Sequence, residues 1–120
     1  DGSLVNLVCD EIMSRELTEV AYIAGTEAVL EAALAYAPDI TRCCLSAQTT
    51  PESQIDLAVR YACKRLQFSR KVTAEAAAKA EEAGLIRNLF WSDDLEDARA
   101  YVEMGIDVVL TNRANVLSDL

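Results

Sequence analysis

The chain has 120 residues, 52% of them hydrophobic, and a formal net charge of −9. That length allows one domain with a substantial core and leaves disorder without support. The acidic balance lacks the basic footprint of nucleic-acid binders and would be repelled by anionic membranes. No apolar run approaches the ~18 residues of a membrane span, and no signal peptide is visible. The first residue is Asp1, not methionine, which fits a processed or excised chain.

In chain order, SLVNLVCDEI carries Leu4, Val8 and Ile12 at helical spacing, with Ser3 as a candidate N-cap. VAYIA (20–24) is a short apolar strand. A helix follows from Thr26 with the stripe Val29, Leu30, Ala33, Leu34 and Ala37, and Pro38 stops it. TRCCLSA (41–47) is the next strand. Thr50 caps the following helix, with Pro51 at its first position, where a missing N–H costs nothing. Ile55, Ala58, Val59 and Ala62 form its apolar face. RLQFS (65–69) is a strand. The helix after it is capped by Thr73, supported by a Glu75–Lys79 pair and ended by Gly84. NLFWS (88–92) is a strand, and Asp93 with Glu96 has capping-box spacing before a helix that Gly105 terminates. DVVLT (107–111) is the last strand, and ANVLSDL a short final helix.

Five strands alternating with helices imply a parallel sheet with right-handed crossovers. Two architectures share that pattern. One is a flavodoxin-like open sheet, complete in five strands. The other is part of a (β/α)₈ barrel, which needs eight strands and typically ~250 residues. Periodicity alone leaves both open.

The four cysteines, Cys9, Cys43, Cys44 and Cys63, form no Cys-x-x-Cys pair and have no histidine to join in a zinc site, because the chain contains none. They read as small apolar residues in a reducing cytoplasm, with Cys43 and Cys44 on opposite faces of their strand. In a parallel α/β fold, function gathers at the C-terminal strand ends. The polar or aromatic residues there are Gln48, Ser69, Arg70, Lys71, Trp91, Asp93, Asn112 and Arg113. Trp91 either lines a binding mouth or packs at the rim. Arg113 has the planar fork that suits a phosphate, or it lies in solvent while Asn112 caps the final helix. Arg70-Lys71 is either an anion attractor or a solvated loop. The pair Asp93-Asp94 sits at a helix start, where capping outweighs metal binding. No glycine-rich phosphate loop occurs, and no serine has a histidine to activate it.

The matching residues Ala83-Gly84, Phe90-Trp91-Ser92, Glu96-Asp97-Ala98-Arg99, Met104-Gly105-Ile106-Asp107 and Leu110-Thr111-Asn112-Arg113 carry a family signal. Together, residues 83–117 resemble the C-terminal end of the glycerophosphodiester phosphodiesterase family, and a weaker likeness extends upstream to about residue 19. In this chain Asn112 stands where the family usually has aspartate, and Ala114 where it has proline. Ala24-Gly25 replaces the family's Ser-Phe, removing an apolar wall. The resemblance implies the C-terminal part of a (β/α)₈ barrel with about five parallel strands. The implied activity is hydrolysis of glycerophosphodiesters, in lipid metabolism, to glycerol 3-phosphate and an alcohol. It also implies a divalent metal ion, Mg or Ca, in the intact family. Trp91, Asn112 and Arg113 would be substrate-binding residues. The family's metal ligands and acid–base histidines lie in its N-terminal half, so this chain alone is expected to hold no metal and to lack turnover. A partial barrel also exposes its inward face and both sheet edges. The expected partner is therefore the N-terminal half of the barrel or a second copy of the chain. A non-catalytic half-barrel that self-associates is the alternative.

Overall fold

The computed structural model describes residues 2–45 and 50–120, Ser3 by its backbone alone. The elements are α1 (Gly2–Ser14), β1 (Tyr22–Gly25), α2 (Glu27–Tyr36), β2 (Thr41–Leu45), α3 (Pro51–Arg60), β3 (Arg65–Phe68), α4 (Ala74–Glu82), β4 (Ile86–Leu89), α5 (Leu95–Met104) and β5 (Val108–Val109). All adjacent strand pairs are parallel, and the sheet order is β1-β2-β3-β4-β5. Five strands alternating with helices therefore form as the periodicity predicts.

The order decides the architecture. A flavodoxin-like sheet reverses direction at a switch point, which sends helices to both faces. Here nothing reverses, so crossovers of one hand keep every helix on one side. Side-chain alternation agrees. Ile23, Cys44, Leu66, Phe68 and Leu89 point into the two buried clusters shared with the helices. The opposite face carries Tyr22, Ile86 and Val108, which are 44%, 37% and 40% exposed, and Phe90 just beyond β4 is 50% exposed. One face is covered and the other is open, as in an arc cut from a barrel. The Cα radius of gyration is 14.9 Å, larger than the ~13.6 Å of a compact domain of this length.

Several boundaries and faces differ from expectation. Strand β1 begins at Tyr22, not Val20, which lies in an exposed turn. Helix α1 already includes Gly2, so Ser3 lies inside it instead of capping it. It buries Val5 and Cys9 and leaves Leu4, Leu7 and Val8 exposed, because its contact is with α2. Val59 is exposed, and Ala62 lies beyond α3 in a left-handed conformation. Glu75 and Lys79 form no ion pair among the described residues. The segment ANVLSDL makes successive turns instead of a helix. Residues 46 and 47 of the expected second strand fall outside the described residues.

Buried polar groups stitch the arc together. Arg42 donates to the carbonyls of Pro38, Ile40, Tyr61 and Ala62 at 2.8 to 3.0 Å. Gln54 projects from α3 and its amide nitrogen donates to Cys44 O at 3.0 Å and Gln67 O at 2.8 Å, joining β2 to β3. On the inner face the Arg65 guanidinium lies 5.2 Å from the centre of the Tyr22 ring. That arch passes over β2, where Cys43 is fully buried. All four cysteines are buried and free. Desolvation lifts the Cys43 thiol to about 11 and the Cys44 thiol to about 12, so both stay protonated and unreactive near neutrality.

Candidate functional site

The C-terminal strand ends converge on the segment 90–94. Strand β4 stops at Leu89, yet pairing continues on both sides. Phe90 N donates to Phe68 O at 2.9 Å, and Ser92 N to Leu110 O at 3.0 Å. The intervening Phe90–Trp91 peptide is cis. Asp93 then reaches across to the end of β5. Its Oδ1 accepts from the Thr111 hydroxyl at 2.8 Å and from Asn112 N at 2.7 Å. The Thr111 hydroxyl oxygen in turn accepts from Arg113 N at 2.9 Å. Hydrogen bonds from Thr111, then from Asn112, hold the Asp93 carboxyl below the usual carboxylate range.

The helix cap is displaced by one residue from the expected capping box. Asp94, not Asp93, caps α5, accepting from Asp97 N at 2.9 Å. Asp97 faces back to the neighbouring loop, where Arg70 grips it bidentately with both distances at 2.8 Å. Arg70 Nη1 also donates to Trp91 O at 3.1 Å. The guanidinium lies 5.5 Å from the centre of the Tyr101 ring, and the Tyr101 hydroxyl donates to Arg70 O at 3.1 Å. Ser92, fully enclosed, donates to Asp97 at 2.5 Å. Arg70 first and Ser92 second hold the Asp97 carboxyl below its ordinary value.

A small open cavity of about 180 Å³ forms between these strand ends, lined by Phe90, Trp91, Leu110, Thr111 and Asn112. Two of the three expected substrate-binding residues, Trp91 and Asn112, thus meet in one mouth. Arg113 follows directly and is exposed, and its guanidinium has no hydrogen-bond or ion-pair partner among the described residues. Arg70, the other cation considered for an anion, is engaged with Asp97 instead. Ser69 accepts from Lys71 N within a turn, and Lys71 is exposed. Gln48 lies outside the described residues. Sequence reasoning missed Asp97 and Ser92. The role of Asp97 comes from its contact with Arg70, far away in sequence, for which no local pattern exists, and Ser92 joins only through Asp97.

The donor set does not fit a divalent metal ion. No three His, Cys, Asp or Glu side chains gather among the described residues. Asp93 is committed to Thr111 and Asn112, and Asp97 to Arg70. The arrangement offers an aromatic wall, an amide and an adjacent guanidinium, which together suit binding and orientation more than bond cleavage.

Larger cavities sit at the two sheet edges. One of about 330 Å³ borders β1 and α1, lined by Leu4, Val5, Val8, Tyr22, Ile23, Ala24 and Val29. The other, about 400 Å³, borders β5 and is lined by residues that include Val102, Val109 and Leu117.

No family model matches the chain, and no curated protein does. Solved structures do. A Silicibacter pomeroyi protein assigned to the glycerophosphoryl diester phosphodiesterases matches with a TM-score of 0.82 at 19% identity, over 98% of this chain and 44% of its own. A glycerophosphodiester phosphodiesterase of Parabacteroides distasonis matches with a TM-score of 0.78 at 14% identity, over 92% and 47%. An Oleispira antarctica phosphodiesterase, solved with the product sn-glycerol-3-phosphate, matches with a TM-score of 0.78 at 15% identity, over 98% and 50%. The chain spans about half the length of each. At these identities the likeness establishes the fold: the chain is a partial (β/α)₈ barrel of five successive parallel strands, shared with solved glycerophosphodiester phosphodiesterases.

Proposed function

We propose that residues 1–120 form a single unit, the C-terminal half of a glycerophosphodiester phosphodiesterase-like barrel. Such a barrel hydrolyses glycerophosphodiesters to glycerol 3-phosphate and an alcohol only when its N-terminal half is supplied. The observation that carries the reading is the unreversed five-strand arc with an open inner face, matched over nearly its whole length by half of each solved phosphodiesterase. Eight strands less five leaves three for the missing half.

In this reading Trp91 packs against the glycerol or alcohol part of the substrate, Asn112 offers its amide, and the free Arg113 fork reaches the phosphate. The Oleispira antarctica neighbour holds sn-glycerol-3-phosphate, a ligand of the matching chemistry. A divalent ion, Mg or Ca, would supply polarisation of the phosphoryl oxygens. Its ligands and the proton-carrying histidines would have to come from the other half, since this chain has no histidine and gathers no metal-binding group among its described residues. We place the protein in the cytoplasm, consistent with four buried, reduced cysteines and with no described helix long and apolar enough to cross a membrane.

The second reading is a non-catalytic half-barrel that self-associates through its apolar edge grooves. Activity separates the two. The purified chain is expected to show no metal-dependent turnover of a glycerophosphodiester. Joined to an N-terminal barrel half it is expected to turn over, with Trp91→Ala raising KM. Turnover by the chain alone, or none in any joined barrel, would refute the first reading.

A further inference from the structure

The mouth is open to solvent, yet its central segment is fastened from both sides. On one side Asp93 ties it to Thr111 and Asn112 after β5. On the other, the only side chain reaching the Trp91 backbone among the described residues is that of Arg70, which follows β3. Arg70 is itself held at three points: Asp97 at the base of α5, the Tyr101 ring, and the Tyr101 hydroxyl on its carbonyl. Ser92, next to Trp91, closes the loop by donating to the same Asp97.

We propose that Arg70, locked by Asp97, is the positioning residue of the strand-end mouth, fixing where Trp91 stands as its aromatic wall. This rests on the reading that the mouth receives substrate. The geometry argues for positioning over stability. The Arg70 and Asp97 side chains are 52% and 30% exposed, and ion pairs of that exposure add little to folding. Their bidentate fork is nevertheless directional, and direction is what an aromatic wall on a loop needs. A lysine in place of Arg70 could reach Asp97 as a point charge, but it could not hold both carboxylate oxygens and Trp91 O together.

Trp91 is the only tryptophan, so its fluorescence in the 120-residue chain reads the proposal directly. Arg70→Ala is expected to red-shift Trp91 emission and to raise the acrylamide quenching constant about twofold, as when contacts that order an exposed loop are lost. Far-UV circular dichroism should not change. Arg70→Lys should fall between the two, and Arg60→Ala, whose partner Glu27 opens α2 beside β1 and β2 and does not line the mouth, should match the parent chain. If Arg70→Ala fails to fold, Asp97→Asn takes its place with the same expected shift. Folded variants whose Trp91 emission and quenching equal the parent's would overturn the proposal, even with a lowered melting temperature, since that would leave a purely structural pair. In a joined barrel, Arg70→Ala should raise KM about tenfold with kcat held, the pattern of lost ground-state binding. A barrel that never turns over would instead refute the functional reading and leave the fluorescence result standing.

Discussion

Charge placement explains much of what single residues do here. Arg87 points from β4 toward the helix side, nearly buried, and survives there because Asp107 takes its guanidinium in a fork with both distances at 2.8 Å. Asp107 also accepts from Arg87 N at 2.8 Å, so one carboxylate fixes both the side chain and the backbone between β4 and the approach to β5. Arg87 first holds the Asp107 carboxyl below its ordinary value. Asp93 and Asp97 are depressed in the same direction. A depressed folded value means the ionised form is favoured in the folded state. Its contribution is therefore complete above the unfolded value of about 3.9, and is lost as pH falls through that value toward the lower folded ones. The urea midpoint is expected to hold from neutrality to about pH 4 and then to fall, chiefly through Asp107, whose partner Arg87 is nearly buried, whereas Asp93 and Asp97 have the solvent-exposed partners Asn112 and Arg70. Asp107→Asn should be less stable at neutrality and should lose less on acidification. Equal acid sensitivity in the parent and Asp107→Asn would contradict this assignment.

Helix ends show why part of the fold was legible in the sequence and part was not. Four helices close with the same pair of reversed hydrogen bonds. After α4 they are Gly84 N to Glu81 O and Leu85 N to Ala80 O, and after α5 Gly105 N to Val102 O and Ile106 N to Tyr101 O. Glycine supplies the left-handed residue at both, with φ of +74° and +110°, so both stops could be read in advance. The same closures after α1 and α3 use Glu16 and Ala62, at φ of +57° and +49°. Nothing in either residue type announces a stop. The apolar spacing puts Ala62 on a helix face, yet it is the residue that leaves the helix. Holding alanine there costs about 1 kcal/mol relative to glycine. Ala62→Gly is expected to stabilise the chain by up to that amount, and Gly105→Ala to destabilise it similarly, both read as shifts in thermal midpoint. No gain from Ala62→Gly would mean the closure is not strained. Caps were legible for the same local reason. Thr50 and Thr73 each accept a bond from three residues ahead. The Asp93–Asp94 doublet offered two candidates, and only the contact with Thr111 across strands decided between them.

For the whole molecule, the alternation of strands and helices predicted a parallel sheet but could not order its strands. Order is a long-range property, and the unreversed sequence β1 to β5 is what separates an arc from a complete open sheet. The candidate mouth was half legible. Strand-end placement points to eight residues, Arg70, Trp91, Asn112 and Arg113 among them, and the family resemblance singles out the last three, while the pairing of Arg70 with Asp97 joins residues remote in sequence. An arc leaves apolar surface that water does not favour. Leu4, Leu7 and Val8 on α1, with Tyr22, Ile86 and Val108 on the sheet, are all exposed. Among the described residues the edge strands β1 and β5 each pair with a strand on one side only, the kind of edge that recruits a partner. An arc of this kind is expected to need a closing partner. Sedimentation velocity of the isolated 120-residue chain at micromolar concentrations tests it most directly. The account predicts a mass above the 13.1 kDa of one chain, falling to a defined one-to-one complex when an N-terminal barrel half is added. A monodisperse monomer that ignores the added half would contradict it.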